Sequence, residues 1–291
     1  MKRIVLFIAT NILVMAAATI LMKVLGVGNY IEGTGLNYSS LMIICLIWGG
    51  LGSFVSLLLS KWMAKTMMGL QEISVNGPYG SIVRKVHEYA KRSNLEKMPE
   101  VYVYNSPEPN AFATGPSRNN SLVAVSTGLL EAMSEDEVEA VLAHEVSHIA
   151  NGDMVTMALV QGVVNAFVMF FARVAAFAID NALRGDDDNG KGLGHIGYFV
   201  ATIVLQIVFG ILAAPITMWF SRWREFRADA GSARLVGKEK MIAALEALKR
   251  NTDKMLNENK EMEVMQISSK KAMIELFASH PPLDKRIAAL R

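Results

Sequence analysis

The sequence predicts an α-helical membrane protein that carries a soluble α+β domain, mostly helical with a small β-sheet. Three observations lead there. Of 291 residues, 52% are hydrophobic and only 19% charged, with a mean hydropathy of +0.29, a balance typical of membrane proteins. Four apolar runs, Ile4 to about Leu25, Tyr38 to Ser60, 154 to 179 and Tyr198 to Phe220, each reach the ~20 residues a bilayer-spanning helix needs. The stretch between the second and third runs has an ordinary polar mix and alternates β-rich with helical patterning. The expected organisation is a first transmembrane hairpin over 1–65, a soluble part over 66–153, a second hairpin over 154–220 and a second soluble part over 221–291.

Taken in order, the first run follows Lys2 and Arg3. A cleaved signal peptide is the competing reading, with Ala16, Ala17 and Ala18 as a cleavage site. The apolar run continues past them to Leu25, which favours an uncleaved span, with Asn11 facing another helix. The second run ends at Lys61, Trp62 and Lys65, and no Lys or Arg lies between Lys23 and Lys61. The excess of positive charge therefore marks the N-terminus and residue 61 onward as cytoplasmic. The fourth run exits into Arg222, Arg224 and Arg227, so four spans agree on one topology. Arg173, near the far end of the third run, can snorkel. Asp180, Asp186, Asp187 and Asp188 against Arg184 and Lys191 fill the loop before the fourth run.

In the soluble part, Ile82, Val83, Val86 and Tyr89 recur on one side of a helix. Val101 to Tyr104, Asn110 to Thr114 and Leu122 to Val125 read as short strands, punctuated by Pro107, Pro109, Gly115, Pro116, Asn119 and Asn120. Beyond Glu225 the sequence reads as soluble helices, clearest at Met241 to Leu248 and Met273 to Phe277, with a loose charged stretch from Asn251 to Glu263.

The strands lead into the stretch that carries chemistry, His144, Glu145, Val146, Ser147, His148. Ser134 and Glu137 have capping-box spacing at a helix start, and Gly152 is placed to end that helix. Two His four apart lie one turn apart on one face, where both imidazoles reach one cation. Glu145 reaches a water on that cation, so the pattern is that of a zinc hydrolase with two nitrogen ligands and a general base. The competing reading is a solvated helix with two surface His. Only five His occur in the chain, however, and this helix is otherwise apolar, so its polar groups need partners. The single cysteine, Cys45, excludes an intramolecular disulfide and a Cys-rich zinc site. A net charge of +2 gives no sign of a nucleic-acid surface.

A catalytic zinc takes a third protein ligand. Glu225 and Asp229 are four apart, so one can bind metal while the other orients a His ligand. From spacing alone, a solvated acidic pair with Arg227 is the better-supported reading.

The order of these motifs resembles the HtpX-type membrane zinc proteases, bacterial relatives of the CAAX prenyl endopeptidases. The likeness rests on the His-Glu-x-x-His at 144–148, the Glu225/Asp229 pair after two apolar runs, Asn110, Ala111, Phe112 and Ala113 ahead of the helix, and His280 followed by Pro281 and Pro282. It covers essentially the whole chain. The resemblance implies a zincin-like (gluzincin) fold, with a catalytic helix pair beside the small sheet. It implies one zinc ion per chain on His144, His148 and Glu225, with Glu145 activating water. It implies that His280 lies near the site, where it can stabilise an oxyanion. Alone, His280 reads as a cap before a Pro-started helix. Asp229 is the better candidate to support a ligand His, and Asp153 a weaker one. Asn110 to Thr114 would be an edge strand on which an extended substrate pairs. The family further implies polypeptide substrates, notably misfolded or damaged membrane proteins, cut on the cytoplasmic side of a bacterial inner membrane in protein quality control. Two other classes compete. One is a catalytically silent zincin-like membrane scaffold, which intact Glu145 argues against. The other is a small transporter with structural zinc, which the lack of paired mid-span charges argues against.

Overall fold

The computed structural model describes residues 37–184, 192–258 and 280–291. The first apolar run with Asn11, the acidic loop residues Asp186, Asp187 and Asp188 with Lys191, and Met273 to Phe277 lie outside the described residues. The chain falls into two compact units, Met1–Val55 with Ala158–Thr217, and Ser56–Met157 with Met218–Arg291.

Among the described residues, three helices are long and apolar enough to cross a membrane: α1 (Tyr38–Met67), α5 (Asp153–Arg184) and α6 (Gly194–Val236). In the first unit, α1 and α5 pack around Met42, Cys45, Ala166, Phe170 and Val174. Gly49 permits the approach, since a Cβ there would lie 2.7 Å from the Ala166 amide nitrogen. Ile47, Trp48, Leu51 and Phe54 on α1, and Ile196, Phe199 and Ile203 on α6, are exposed, the arrangement a helix takes against lipid. Arg173 donates to the Met169 carbonyl of its own helix (3.2 Å).

The second unit is an α+β layer. β1 (Gln71–Glu72), β2 (Glu100–Tyr104), β3 (Ala111–Ser117) and β4 (Asn120–Ser126) form one mixed sheet in the order β1-β2-β4-β3. β2 and β4 run parallel, and the outer pairs are antiparallel. β4 is internal, and its apolar run Leu122–Val125 is buried on both faces. β3 is left as an edge. Helices α2 (Gly80–Arg92), α3 (Thr127–Ala132), α4 (Glu135–Asn151), α7 (Lys238–Glu258) and α8 (Leu283–Leu290) complete the layer. The core joins Val86 and Tyr89 of α2, Val123 of β4, Leu142 and Ile149 of α4, and Met241 and Leu245 of α7. Each such side chain contributes about 1.5–3 kcal/mol by burial.

Helix α4 starts and stops where the sequence indicates. Ser134 accepts from the Glu137 amide while the Glu137 side chain accepts from the Ser134 amide. Gly152 takes the left-handed conformation (φ 65°), and its N–H satisfies the His148 and Ile149 carbonyls.

Five local features differ from expectation. β1 is two exposed polar residues, too short to carry a period. α3 starts on Ser126, whose Oγ accepts from Leu129 N (3.0 Å), a cap hidden at the end of a strand. Gly115 and Pro116 do not end their strand, because β3 passes through them with a register shift between Thr114 and Ser117. Gly115 has φ 148°, and a Cβ there would lie 2.2 Å from the Asn120 carbonyl oxygen, so a larger residue is excluded. Helix α6 continues past Phe220 to Val236, and α7 runs through 251–258 of the stretch expected to be loose, the remainder to Glu263 lying outside the described residues.

Candidate active site

Helices α4 and α6 bring the polar groups together. They approach closely because Gly231 faces Ser147, where a Cβ on Gly231 would lie 2.5 Å from Ser147 Oγ. Ser147 turns its own hydroxyl onto the Ala143 carbonyl (2.7 Å), and Ser232 Oγ donates across to the Ala140 carbonyl (2.8 Å). His144, Glu145 and His148 on α4, and Glu225 and Asp229 on α6, are all buried.

His144 Nε2 and His148 Nε2 are 3.1 Å apart. Glu225 Oε2 is 3.6 Å from the first and Oε1 is 3.3 Å from the second. One donor atom from each of His144, His148 and Glu225 lies within 4.8 Å of the other two, close enough for all three residues to reach a single ion at ~2.0–2.2 Å. Each ring is turned by a carboxylate on its other nitrogen. His148 Nδ1 is 2.7 Å from Asp153 Oδ2, and His144 Nδ1 is 2.9 Å from Asp229 Oδ1, the latter off the line of a good hydrogen bond. With Nδ1 carrying the proton, both Nε2 lone pairs face the same point. Glu225 Oε1, buried and without a hydrogen bond among the described residues, faces it too. The donor set therefore fits a divalent cation.

Electrostatics agree. Burial alone pushes the Glu225 carboxyl up, but the imidazoles of His144, His148 and His280 together outweigh it and hold the group well below the usual carboxylate range. Burial alone lowers His148, yet Asp153 and Glu225 push it up to about 9, as expected where negative charge is in excess.

Of the anticipated residues, His144, Glu145, His148, Glu225, Asp229 and Asp153 converge here. Asp153 is as tightly engaged as Asp229. His280 is at hand as well, with Nδ1 2.9 Å from Glu225 Oε2 while its side chain stays 62% exposed. Asn110 precedes the edge strand, and Ala111, Phe112 and Ala113 lie on it, with α4 packed against β3. Sequence reasoning missed Arg286 of α8. Its Nε and Nη2 grip Asp229 Oδ2 and Oδ1 at 2.8 and 2.6 Å, and Nη1 lies 3.5 Å from Glu225 Oε2. Between Asp284 and Lys285 on one side and Ile287 on the other, it reads as one more charge on a surface helix.

A sequence profile for peptidase family M48 matches residues 78–291. The chain is 53% identical over 293 residues to Protease HtpX of Shewanella putrefaciens, covering 100% of this chain and 99% of that protein. The chain belongs to peptidase family M48. Protease HtpX of Tolumonas auensis is 52% identical over 297 residues, with the same shares covered. Among solved structures, Ste24p from S. mikatae has a similar fold, with a TM-score of 0.59 at 19% identity over 96% of this chain; the chain spans 65% of the Ste24p length. This M48 chain is accordingly a membrane metalloprotease. The zincin-like architecture and the resemblance drawn from its motifs both hold.

Proposed function

We propose that the protein is a zinc endopeptidase with one ion on His144, His148 and Glu225, cutting misfolded or damaged membrane proteins at the cytoplasmic face of a bacterial inner membrane. The observation that carries the reading is the convergence of two buried imidazole nitrogens, 3.1 Å apart, with the two oxygens of buried Glu225, one 3.3 Å from His148 and the other 3.6 Å from His144, beside Glu145. When bound, zinc polarises the scissile carbonyl and lowers the pKa of its water toward 7. Glu145 takes the proton from the attacking water and passes it to the leaving amine. Asp153 and Asp229 fix the imidazoles so that each presents Nε2. His280 holds Glu225 through Nδ1 and offers its other nitrogen to the developing oxyanion.

The edge of β3 supplies the substrate platform. Ser126 N donates to Asn110 O (2.9 Å), and Asn110 N donates to Ser126 Oγ (2.9 Å), so Asn110 turns its backbone groups toward Ser126. By alternation, Phe112 pairs with Ala124 and Thr114 with Leu122, while Ala111 and Ala113 turn their N–H and C=O outward. Those outward groups take the substrate backbone.

The domain partition expected from the sequence suits this chemistry. Glu225 follows His148 across two membrane-length helices, so an even number of crossings returns it to the side of the His pair. The reading thus carries N-terminus, C-terminus and site to the cytoplasm.

Zinc content and casein cleavage by the full chain in detergent test the proposal together. Glu145→Gln keeps zinc and loses cleavage. Glu225→Ala loses both, and Asp229→Ala keeps measurable zinc. A silent scaffold binds zinc without cleaving, and a transporter cleaves nothing in either form. Full activity with stoichiometric zinc in Glu225→Ala overturns the ligand assignment.

A further inference from the structure

We infer that Arg286 is a positioning residue for the metal site, acting through Asp229 on His144, and that helix α8 is thereby part of the catalytic apparatus. The inference rests on the ligand set proposed above. Arg286 is the one Lys or Arg that is buried among the described residues, 6% exposed. Three buried carboxylates act on it, Asp229, Glu225 and Glu145. A buried cation persists only where its hydrogen bonds are met, and here both oxygens of Asp229 meet them in a two-pronged grip. That grip fixes the plane of the Asp229 carboxylate. Asp229 Oδ1, the atom that receives Nη2, is also the atom 2.9 Å from His144 Nδ1. The guanidinium therefore decides where the carboxylate oxygen beside His144 Nδ1 sits, and so which ring nitrogen is left for the metal.

The same group spans one helical turn of α6, with Nη1 3.5 Å from Glu225 Oε2. What presents Arg286 is α8. Its Ile287 and Leu290 join the core that holds Met241 and Leu245 of α7, and Asp284 pairs with Lys249 at 2.6 Å. A group that touches no substrate thus sets the geometry of one that binds the ion.

The experiment is a zinc-affinity measurement on the full chain in detergent, by competition with a chromophoric chelator, with thermal unfolding of the zinc-free protein recorded alongside. Removing a group that orients a ligand costs about 10- to 100-fold in metal affinity, and that loss is expected for Arg286→Ala. Arg286→Lys keeps the charge but not the fork, and is expected to lose nearly as much, with zinc-free unfolding close to wild type. In an Asp229→Asn background Arg286→Ala is expected to add less than about twofold, because both changes break the same link. Wild-type zinc affinity in Arg286→Ala, restoration by Lys, or additive losses with Asp229→Asn each overturn the inference. His144→Ala is the reference: if it also keeps wild-type affinity, the ligand assignment itself has failed, whereas its loss beside unaffected Arg286 variants condemns the positioning role alone.

Discussion

Gly231→Ala tests whether the α4–α6 approach sets the metal site. The added Cβ would lie 2.5 Å from Ser147 Oγ and 2.8 Å from Ser147 Cβ. Rotating the hydroxyl away relieves only the first clash and gives up its bond to the Ala143 carbonyl. The Cβ–Cβ clash leaves the helices about 0.6 Å too close for ordinary contact, where repulsion is steep. Overpacking of this kind costs about 1–3 kcal/mol, and the better helix propensity of Ala returns about 1 kcal/mol. The net loss, about 0–2 kcal/mol, is small beside a typical stability of 5–15 kcal/mol, so the fold survives. The metal site does not tolerate the shift, because ligand distances hold within about 0.2 Å and the His pair and Glu225 ride on the two helices being parted. The expected result is a zinc affinity reduced about 10-fold or more, with zinc-free unfolding lowered by only a few degrees. Ser147→Gly in the same chain clears the clash and restores most of the affinity. Wild-type zinc binding by Gly231→Ala, or no recovery on adding Ser147→Gly, would refute the reasoning.

Other outcomes follow from the same geometry. Pro at Ala111 or Ala113 removes an outward donor and is expected to reduce cleavage with zinc retained, whereas Pro at Phe112 removes a bond to β4 and lowers stability as well; similar behaviour at all three positions contradicts the edge-strand assignment. Reporter fusions at Glu32 and Asp187 are expected on the outer face, with Lys61 and Arg222 inside; an inside signal at Asp187 means that α5 and α6 do not span. For Glu100, burial pushes the carboxyl up from its ordinary 4.5, but Lys61, Lys65 and Tyr102 outweigh it and hold it at about 2. The folded value is the lower one, so the clamp stabilises fully above 4.5 and is lost as pH falls through about 2. The difference in melting temperature between wild type and Glu100→Gln is therefore constant above that range and shrinks toward pH 2, and a difference that widens on acidification argues against it.

What could be read in the sequence divides by range. The α4 boundaries were legible because a capping box and a Gly stop act within a few residues. The membrane-length helices were legible because composition over twenty residues suffices. The His pair was legible because one helical turn fixes its geometry. The link between His148 and Asp153 was harder, since it crosses a helix end, where the left-handed Gly152 sets the direction of the next residue. The Arg286 grip was not legible at all: it joins residues 57 apart, and its charge had the same local pattern as a solvated one. The Gly115–Pro116 bulge was misread for a related reason, since both residues signal a turn unless a neighbouring strand holds them.

That bulge has a consequence for what the protein can take hold of. Beyond Thr114 the register shifts and Pro116 has no N–H to give, so the regular edge is Ala111–Thr114 alone. A chain laid there is held at two residues' worth of main chain, by groups every polypeptide has. Such a grip reads almost nothing of side-chain identity. It demands instead that the visitor surrender several residues as bare extended backbone, at about 1–2 kcal/mol each even for a chain already unfolded. A segment locked in its own helix or sheet must first give up those bonds. If β3 is the substrate platform proposed above, the edge would sort polypeptides by conformational slack rather than by spelling, and a well-folded protein would pass it by.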